Sequence, residues 1–153
     1  MGIIKTPHIA ADIIIELVDR PGRPIVLIER QNPPYGWAIP GGFMEIGERL
    51  EWTAVREAAE ETSLTVTLQG LLGLYSEPDR DPRFHTVTAV FVAEARGTPR
   101  AADDAKNLCV VDLDGLPTPL AFDHDQVLAD YREFRERGRV TPLQIFPSRG
   151  REK

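Results

Sequence analysis

Apolar residues follow two rhythms along this chain. Ala10–Val18 is dominated by β-branched and aliphatic side chains, and Pro24–Glu29 repeats that character after the turn Asp19–Gly22. Both read as strands. Asn32-Pro33-Pro34 forbids helix and marks a loop that ends in Tyr35-Gly36-Trp37, and Ile39-Pro40-Gly41-Gly42-Phe43 is a strand end running into a glycine turn. From Leu50 to Thr62 there is no Gly or Pro, and Leu50, Ala54 and Ala58 recur at four-residue spacing, which predicts a helix with one narrow apolar face.

Beyond that helix, Leu64–Leu68 alternates weakly, Leu71–Tyr75 is apolar, and Glu77–Phe84 is a charged, proline-containing loop. His85–Ala95 alternates and is rich in Val and Thr, the clearest strand of the chain. A polar loop, Gly97–Lys106, leads to a short strand at Leu108–Leu113 and a turn at Gly115–Pro119. A second helix is predicted from Asp123, with Gln126 three residues on as a capping box. Val127, Leu128, Tyr131 and Phe134 supply its helical spacing, and Gly138 stops it. The tail Pro147–Lys153 is polar and expected to fray. Strands interleaved with two helices, without repeat or linker, predict a single α/β domain over residues 1–153.

At 153 residues and 42% hydrophobic content the chain is one domain with enough apolar material for a core. Lys plus Arg number 18 against 24 Asp plus Glu, a formal charge of -6. That balance speaks against nucleic acid or a membrane surface as partner, and leaves room for an anionic small molecule if local arginines or a metal supply positive charge. No apolar run approaches the ~18 residues of a membrane helix. Met1–His8 has no leader pattern, and the lone Cys109 reads as a structural thiol in a reducing compartment. A cytoplasmic location follows as an expectation.

The first helix is unusual in its acids. Glu57, Glu60 and Glu61 stand at i, i+3 and i+4 and share one face, with Glu48 just upstream. Like charges so placed repel by roughly 0.2–0.5 kcal/mol per pair, so something positive should offset them. Carboxylate oxygens suit Mg²⁺, with Mn²⁺ as the alternative, and no Cys/His cluster favours zinc. His8, His85 and His124 are far apart in sequence and read as ordinary surface or core residues. Carboxylates holding divalent ions point to phosphoryl chemistry, where the metal bridges phosphate oxygens and lowers the pKa of attacking water. Arg56 adjoins the cluster and can orient a carboxylate. Gly41 and Gly42 permit close backbone approach to a metal.

Gly42, five residues, Glu48, seven residues, Arg56-Glu57-Ala58-Ala59-Glu60-Glu61 and then Leu64 resembles the Nudix box. At ~6% usage per type, six fixed positions recur by chance on the order of 10⁻⁵ per chain of this length, so an ordinary acidic helix is a poor account of them. The resemblance implies an α/β/α sandwich around a mixed sheet. It also implies metal binding by Glu57 and Glu61 with Glu60 as a further ligand, Glu48 as the outer glutamate, Arg56 as the orienting arginine, and the backbone carbonyl of Gly41 as a donor. Two positions depart from the pattern. Ser63 stands where the box has glycine, and Arg49 is a weak helix cap where Ser or Thr is usual.

The stretch Ser76-Glu77-Pro78-Asp79-Arg80-Asp81-Pro82-Arg83-Phe84-His85-Thr86 resembles the loop and strand of small ADP-ribose pyrophosphatases within that family, with Pro78 fifteen residues past Ser63. Leu120-Ala121-Phe122-Asp123-His124 resembles the segment opening their last helix. The implied reaction is hydrolysis of ADP-ribose, or a similar nucleoside diphosphate sugar, to AMP and a sugar phosphate. Arg30, Arg80 and Arg83 are candidate contacts for diphosphate or ribose, and Phe84 or Tyr35 for stacking on adenine. Asp103 and Asp104 fall where related enzymes keep a mobile water-activating acid, whereas Asn107-Leu108-Cys109 departs from the Glu-Ala-Arg-Trp type expected there. No run resembles the NADH-directed or coenzyme A-directed signatures. The alternatives are a nucleoside triphosphate pyrophosphatase and a non-catalytic ADP-ribose-sensing domain. Relatives are often homodimers, so a second copy of the chain is the protein partner implied.

Overall fold

The computed structural model describes residues 2–102 and 105–145. Among these lie β1 (His8–Leu17), β2 (Ile25–Arg30), β3 (Trp37–Ala38), β4 (Gly41–Phe43), α1 (Leu50–Thr62), β5 (Thr67–Tyr75), β6 (Thr86–Ala95), β7 (Ala105–Val111) and α2 (His124–Arg137). The strands make one mixed sheet in the order β3-β2-β1-β6-β5, with β4 also paired to β1 and β7 to β2. At its centre β1 and β6 run parallel, in register from His8↔Thr86 to Leu17↔Ala95.

A central parallel strand is covered on both faces and therefore reads as a nearly continuous apolar run, as β1 does. Alternate side chains go to opposite layers. Ala11, Ile13, Ile15 and Leu17 join Ala89, Phe91 and Ala93 beneath Ala54 and Ala58 of α1. Ile14, Val90 and Val92 pack instead against Val127, Leu128 and Tyr131 of α2. The result is the expected α/β/α sandwich. The buried face of α1 consists of Thr53, Ala54, Ala58 and Thr62. Such short side chains let the helix lie close on the sheet, which brings its acidic flank against β4.

The structure departs from the sequence reading in several places, one being Gly41–Phe43, expected to be a glycine turn but paired to β1 as strand β4. The two segments around Leu68 and Leu71 join into one strand, β5, whose register against β6 shifts at Leu68/Gly70 and at Leu71/Gly73. An extra residue at a bulge breaks strict alternation, which is why the pattern looked interrupted. Strand β7 begins at Ala105, inside the stretch expected to be loop, because it pairs along β2 from Arg30 to Ile25; Leu113 falls in a short 3₁₀ turn, Leu113–Gly115. The capping box is absent: Asp123 makes no side-chain cap on α2, its carboxylate being held by Arg80, and Gln126 donates to Asp130. A charge-assisted bidentate pair outcompetes a helix cap for the same oxygens. The tail 147–153 lies outside the described residues.

Helix α1 begins at Arg49 without a side-chain cap and ends at Ser63 in the left-handed conformation, φ 62°. Only glycine takes that conformation without steric cost. Ser63→Gly is therefore expected to stabilise the chain by about 0.5–1 kcal/mol, read as a higher midpoint in urea; a lower midpoint would show that the Ser63 hydroxyl, which donates to the Arg100 carbonyl, outweighs the backbone term.

Candidate active site

Antiparallel pairing of β4 with β1 sets Gly41 beside Asp12 and Gly42 beside Ala11. Both glycines are required by closeness rather than by turn geometry. A Cβ at Gly42 would lie 2.3 Å from the Glu57 carboxylate, and one at Gly41 would lie 2.4 Å from the Ala11 carbonyl. The first glycine is a cradle for Glu57; the second lets β4 approach β1. The Gly41 N–H also donates to Glu61 at 3.4 Å.

Arg56 organises the acids. Its Nε and Nη2 both donate to Glu48 (2.8 and 2.9 Å), Nη1 donates to Glu57 at 2.8 Å and to Glu60 at 3.3 Å, and Nη2 also reaches the Phe43 carbonyl. Hydrogen bonding to Arg56, then to Thr53, holds the Glu48 carboxyl down near 2, and the same Glu48 bond raises the Arg56 guanidinium further. Glu48 is thus an ion-paired brace that does not line the cleft. Glu60 is 58% exposed at its side chain and stays beside Arg56.

Of the four acids of α1, only Glu57 and Glu61 line the cleft, a cavity of about 300 Å³ that also takes in Asp12, Gly41, Arg30 and Phe122. Burial, only partly countered by Arg56, pushes the Glu57 carboxyl up. Burial and then the neighbouring Glu57 charge push Glu61 up to about 8. Among the described residues no three acidic or imidazole side chains converge tightly enough to form a ready cation site. Two hard carboxylates one helical turn apart, both disfavoured as anions by burial, nevertheless fit a divalent cation, which would lower both pKa values. Glu57 and Glu61, with the backbone oxygen of Gly41 in β4, are the groups that would hold it.

A carboxyl whose folded pKa exceeds its unfolded value keeps its proton longer in the folded chain, so stability falls as pH rises between the two. For Glu61 that window runs from 4.5 to about 8. Chelator-treated protein is expected to lose thermal stability across this range, and millimolar Mg²⁺ to remove most of the loss. Parallel melting curves with and without Mg²⁺ at both ends of the window check this; identical slopes would reject the crowding of Glu57 with Glu61.

The cationic side of the cleft is less free than the sequence implies. Arg80, 3% exposed, donates bidentately to Asp123 at 2.9 and 2.7 Å. Arg83 donates bidentately to Asp81 at 3.0 and 2.9 Å, and that pairing holds Asp81 below the usual carboxylate range despite its burial. Arg30 instead donates to the carbonyls of Pro34 and Pro33, and among the described residues no carboxylate forms an ion pair with it. Burial, then the Arg83 charge, lower its pKa, which marks an under-compensated cation. All three guanidiniums lie 4.8–5.9 Å from the Phe122 ring centre. Phe122 itself has φ 56°, a strained position for an aromatic residue of the kind found where a site is held in shape.

Of the aromatic candidates, Phe84 stacks on His8 with centroids 4.1 Å apart, near Phe43 and under Arg83. Tyr35 is 68% exposed and lines a neighbouring depression that shares Arg30 with the cleft. Asp103 and Asp104 lie outside the described residues. Sequence reasoning passed over Asp12, Phe122 and His124 as site residues, yet all three line the cleft. Asp12 had a signal: a carboxylate inside an apolar strand must be buried, and buried acids have partners.

A NUDIX domain profile matches residues 6–131. An ADP-ribose pyrophosphatase from Methanocaldococcus jannaschii is 45% identical over 132 residues, 84% of this chain and 75% of that protein. Among solved structures, a MutT/nudix family protein from Enterococcus faecalis superposes with a TM-score of 0.75 at 25% identity, covering 89% of this chain and 65% of that one. The NUDIX domain of Shewanella oneidensis NrtR, complexed with ADP ribose, superposes with a TM-score of 0.74 at 27% identity over 85% of this chain and 89% of that one.

Proposed function

Because this chain belongs to the Nudix family, we propose that it hydrolyses the diphosphate of ADP-ribose, or of a closely similar nucleoside diphosphate sugar, to AMP and a sugar phosphate. The observation that carries this reading is the meeting in one cleft of Glu57 and Glu61 with Arg30, which among the described residues has no carboxylate ion pair. The Methanocaldococcus jannaschii relative and the ADP ribose-bound NUDIX domain support the substrate class.

Water adds to one phosphorus of the diphosphate, the bridging P–O bond breaks toward the other phosphate, and the proton of water leaves to solvent or a base. A divalent metal supplies charge neutralisation and a more acidic water; Mg²⁺ is the ion proposed, with Mn²⁺ as the alternative. Glu57 and Glu61 would hold that ion, Arg56 fixes Glu57 in direction while keeping Glu48 and Glu60 to one side, and Gly42 leaves the space Glu57 occupies. Arg30 offers a cation to the diphosphate oxygens. Arg80 and Arg83 act through their ion pairs, holding the 76–86 segment, with Arg83 also covering the Phe84 ring. Phe84 and its neighbour His8 offer the adenine a stacking surface beside the cleft; Tyr35 offers one beyond Arg30. Asp103 and Asp104 are retained as candidates for activating water.

A second copy of this chain is the proposed protein partner, supported by Leu71 and Leu74, both exposed on the edge strand β5; light scattering tests it. The cytoplasm is the proposed setting, on the strength of Cys109 being a free thiol. No helix of the described residues is long and apolar enough to cross a membrane.

The deciding assay presents ADP-ribose and a panel of deoxynucleoside triphosphates with Mg²⁺ and identifies products. AMP from ADP-ribose supports the proposal. Pyrophosphate from a triphosphate with ADP-ribose untouched would replace it with a nucleotide-pool role, and binding of ADP-ribose without turnover would replace it with a sensing role.

A further inference from the structure

His124 opens α2 and is 1% exposed, and its two ring nitrogens differ sharply. Nδ1 accepts a hydrogen bond from the Ile39 N–H at 3.1 Å. The lone pair must therefore sit on Nδ1, and Nε2 carries the hydrogen. That Nε2–H is buried and has no hydrogen-bond partner among the described residues. Orphaned buried donors are rare in folded proteins.

What Nε2 faces is Asp12 Oδ2, at 3.8 Å, beyond hydrogen-bond reach. The same oxygen accepts a bond from Thr88 Oγ1 at 2.6 Å, which fixes the carboxylate. His124 and Asp12 line the cleft that contains Glu57, Glu61 and Arg30. A donor and a carboxylate oxygen at this separation can be bridged by one further oxygen about 2.8 Å from each. That oxygen must accept from Nε2–H and give its own hydrogen to Asp12. A hydroxyl does both; a phosphoryl oxygen has no hydrogen to give and is repelled by the carboxylate.

We propose that His124 Nε2–H and the Asp12 carboxylate form a hydroxyl-binding pair that holds one sugar hydroxyl of the bound nucleotide, making His124 a specificity-determining residue. This rests on the reading of the cleft as a nucleoside diphosphate sugar site. The hydroxyl can come from the nucleoside ribose or from the sugar beyond the diphosphate; the chemistry is the same.

Two variants separate the two nitrogens. His124→Asn places an oxygen near Nδ1 and keeps the Ile39 contact, but has no donor at Nε2. His124→Gln reaches the Nε2 position with an N–H and leaves Ile39 unpaired. Calorimetric binding of ADP-ribose, ADP and ribose 5-phosphate is measured in chelator, where nothing turns over, alongside thermal melting. The Asn variant is expected to melt near the parent yet bind ADP-ribose about tenfold more weakly or worse. The Gln variant is expected to melt lower and bind closer to the parent. A loss shared by ADP assigns the hydroxyl to the nucleoside ribose, whereas a loss confined to ADP-ribose and ribose 5-phosphate assigns it to the distal sugar. Parental affinity of the Asn variant for all three ligands overturns the proposal. If that variant does not fold, a tenfold loss in the Gln variant overturns it and retained affinity supports it. A parent chain that binds none of the three refutes the functional reading and this assignment together; a parent that binds as well as its Asn variant refutes the assignment alone.

Discussion

Turnover in the Glu57→Gln variant is expected to fall by about 10³-fold or more with the fold intact, the scale of loss seen when a group acting chiefly in the transition state is removed. The substitution is nearly isosteric. Its amide oxygen can still accept from Arg56 Nη1, which lies 2.8 Å from the carboxylate it replaces, and the Gly42 cradle still fits it. What disappears is one negative charge from the pair that would grip the cation. The Glu57 charge is also the second cause, after burial, of the raised Glu61 pKa, so its removal should leave the chelated protein as stable as the parent or more so. The measurements are steady-state AMP release from ADP-ribose with Mg²⁺, and melting in chelator. Parental turnover would remove Glu57 from the mechanism. A collapse in melting temperature would show instead that the residue is structural.

The largest loss of stability is expected from Arg80→Met. Arg80 and Asp123 form a bidentate pair with both side chains largely out of water (3% and 10% exposed). Removing one partner of a buried pair leaves the other charge uncompensated and costs about 3–5 kcal/mol. Asp123 precedes His124 and sits at the start of α2, so the pair also ties the 76–86 segment to that helix. Replacing both partners, as Arg80→Met with Asp123→Leu, should return most of the loss, because two apolar groups leave no orphan charge. Urea unfolding of the single and double variants checks the sign of this coupling. A single variant that costs under about 1 kcal/mol would mean that water reaches the pair.

What could be read from the sequence divides along a physical line. Helix α1 was legible to the residue, because a run without Gly or Pro and a repeat of small apolar positions are local properties. Ser63 was legible only as a departure from the glycine of the box; its left-handed conformation came from the structure. Of the parallel core, β1 showed itself as an apolar, β-branched run and β6 as an alternating stretch rich in Val and Thr, but nothing in either told that the two lie side by side and parallel. Charge partners were not legible. Nothing local distinguishes Arg80 and Arg83, each committed to an aspartate, from Arg30, which among the described residues has carbonyls and the Phe122 ring as partners but no carboxylate ion pair. The Asp123–Gln126 spacing of a capping box is equally genuine whether or not a distant guanidinium claims the aspartate. The acids of α1 share a face on a helical wheel, but only the sheet beneath decides that Glu57 and Glu61 enter the cleft while Glu60 stays outside. His124 was set aside because it lies far from other histidines in sequence; its significance is the Ile39 amide on one nitrogen and Asp12 opposite the other.

The ten-residue parallel register between β1 and β6 carries a consequence for how the molecule comes into being. Its partners are separated by 78 positions (86 − 8), and everything from Gly42 to Arg83 lies inside the loop that this pairing closes. Closing so long a loop costs entropy before any contact repays it, which slows folding in proportion to such distant contacts. A chain emerging from the ribosome can shape α1 early, but the cleft has no floor until residue 95 is out. A nascent fragment ending before β6 would therefore carry the glutamates with no cleft to put them in, and the cleft closes only when Phe122 and His124 have followed.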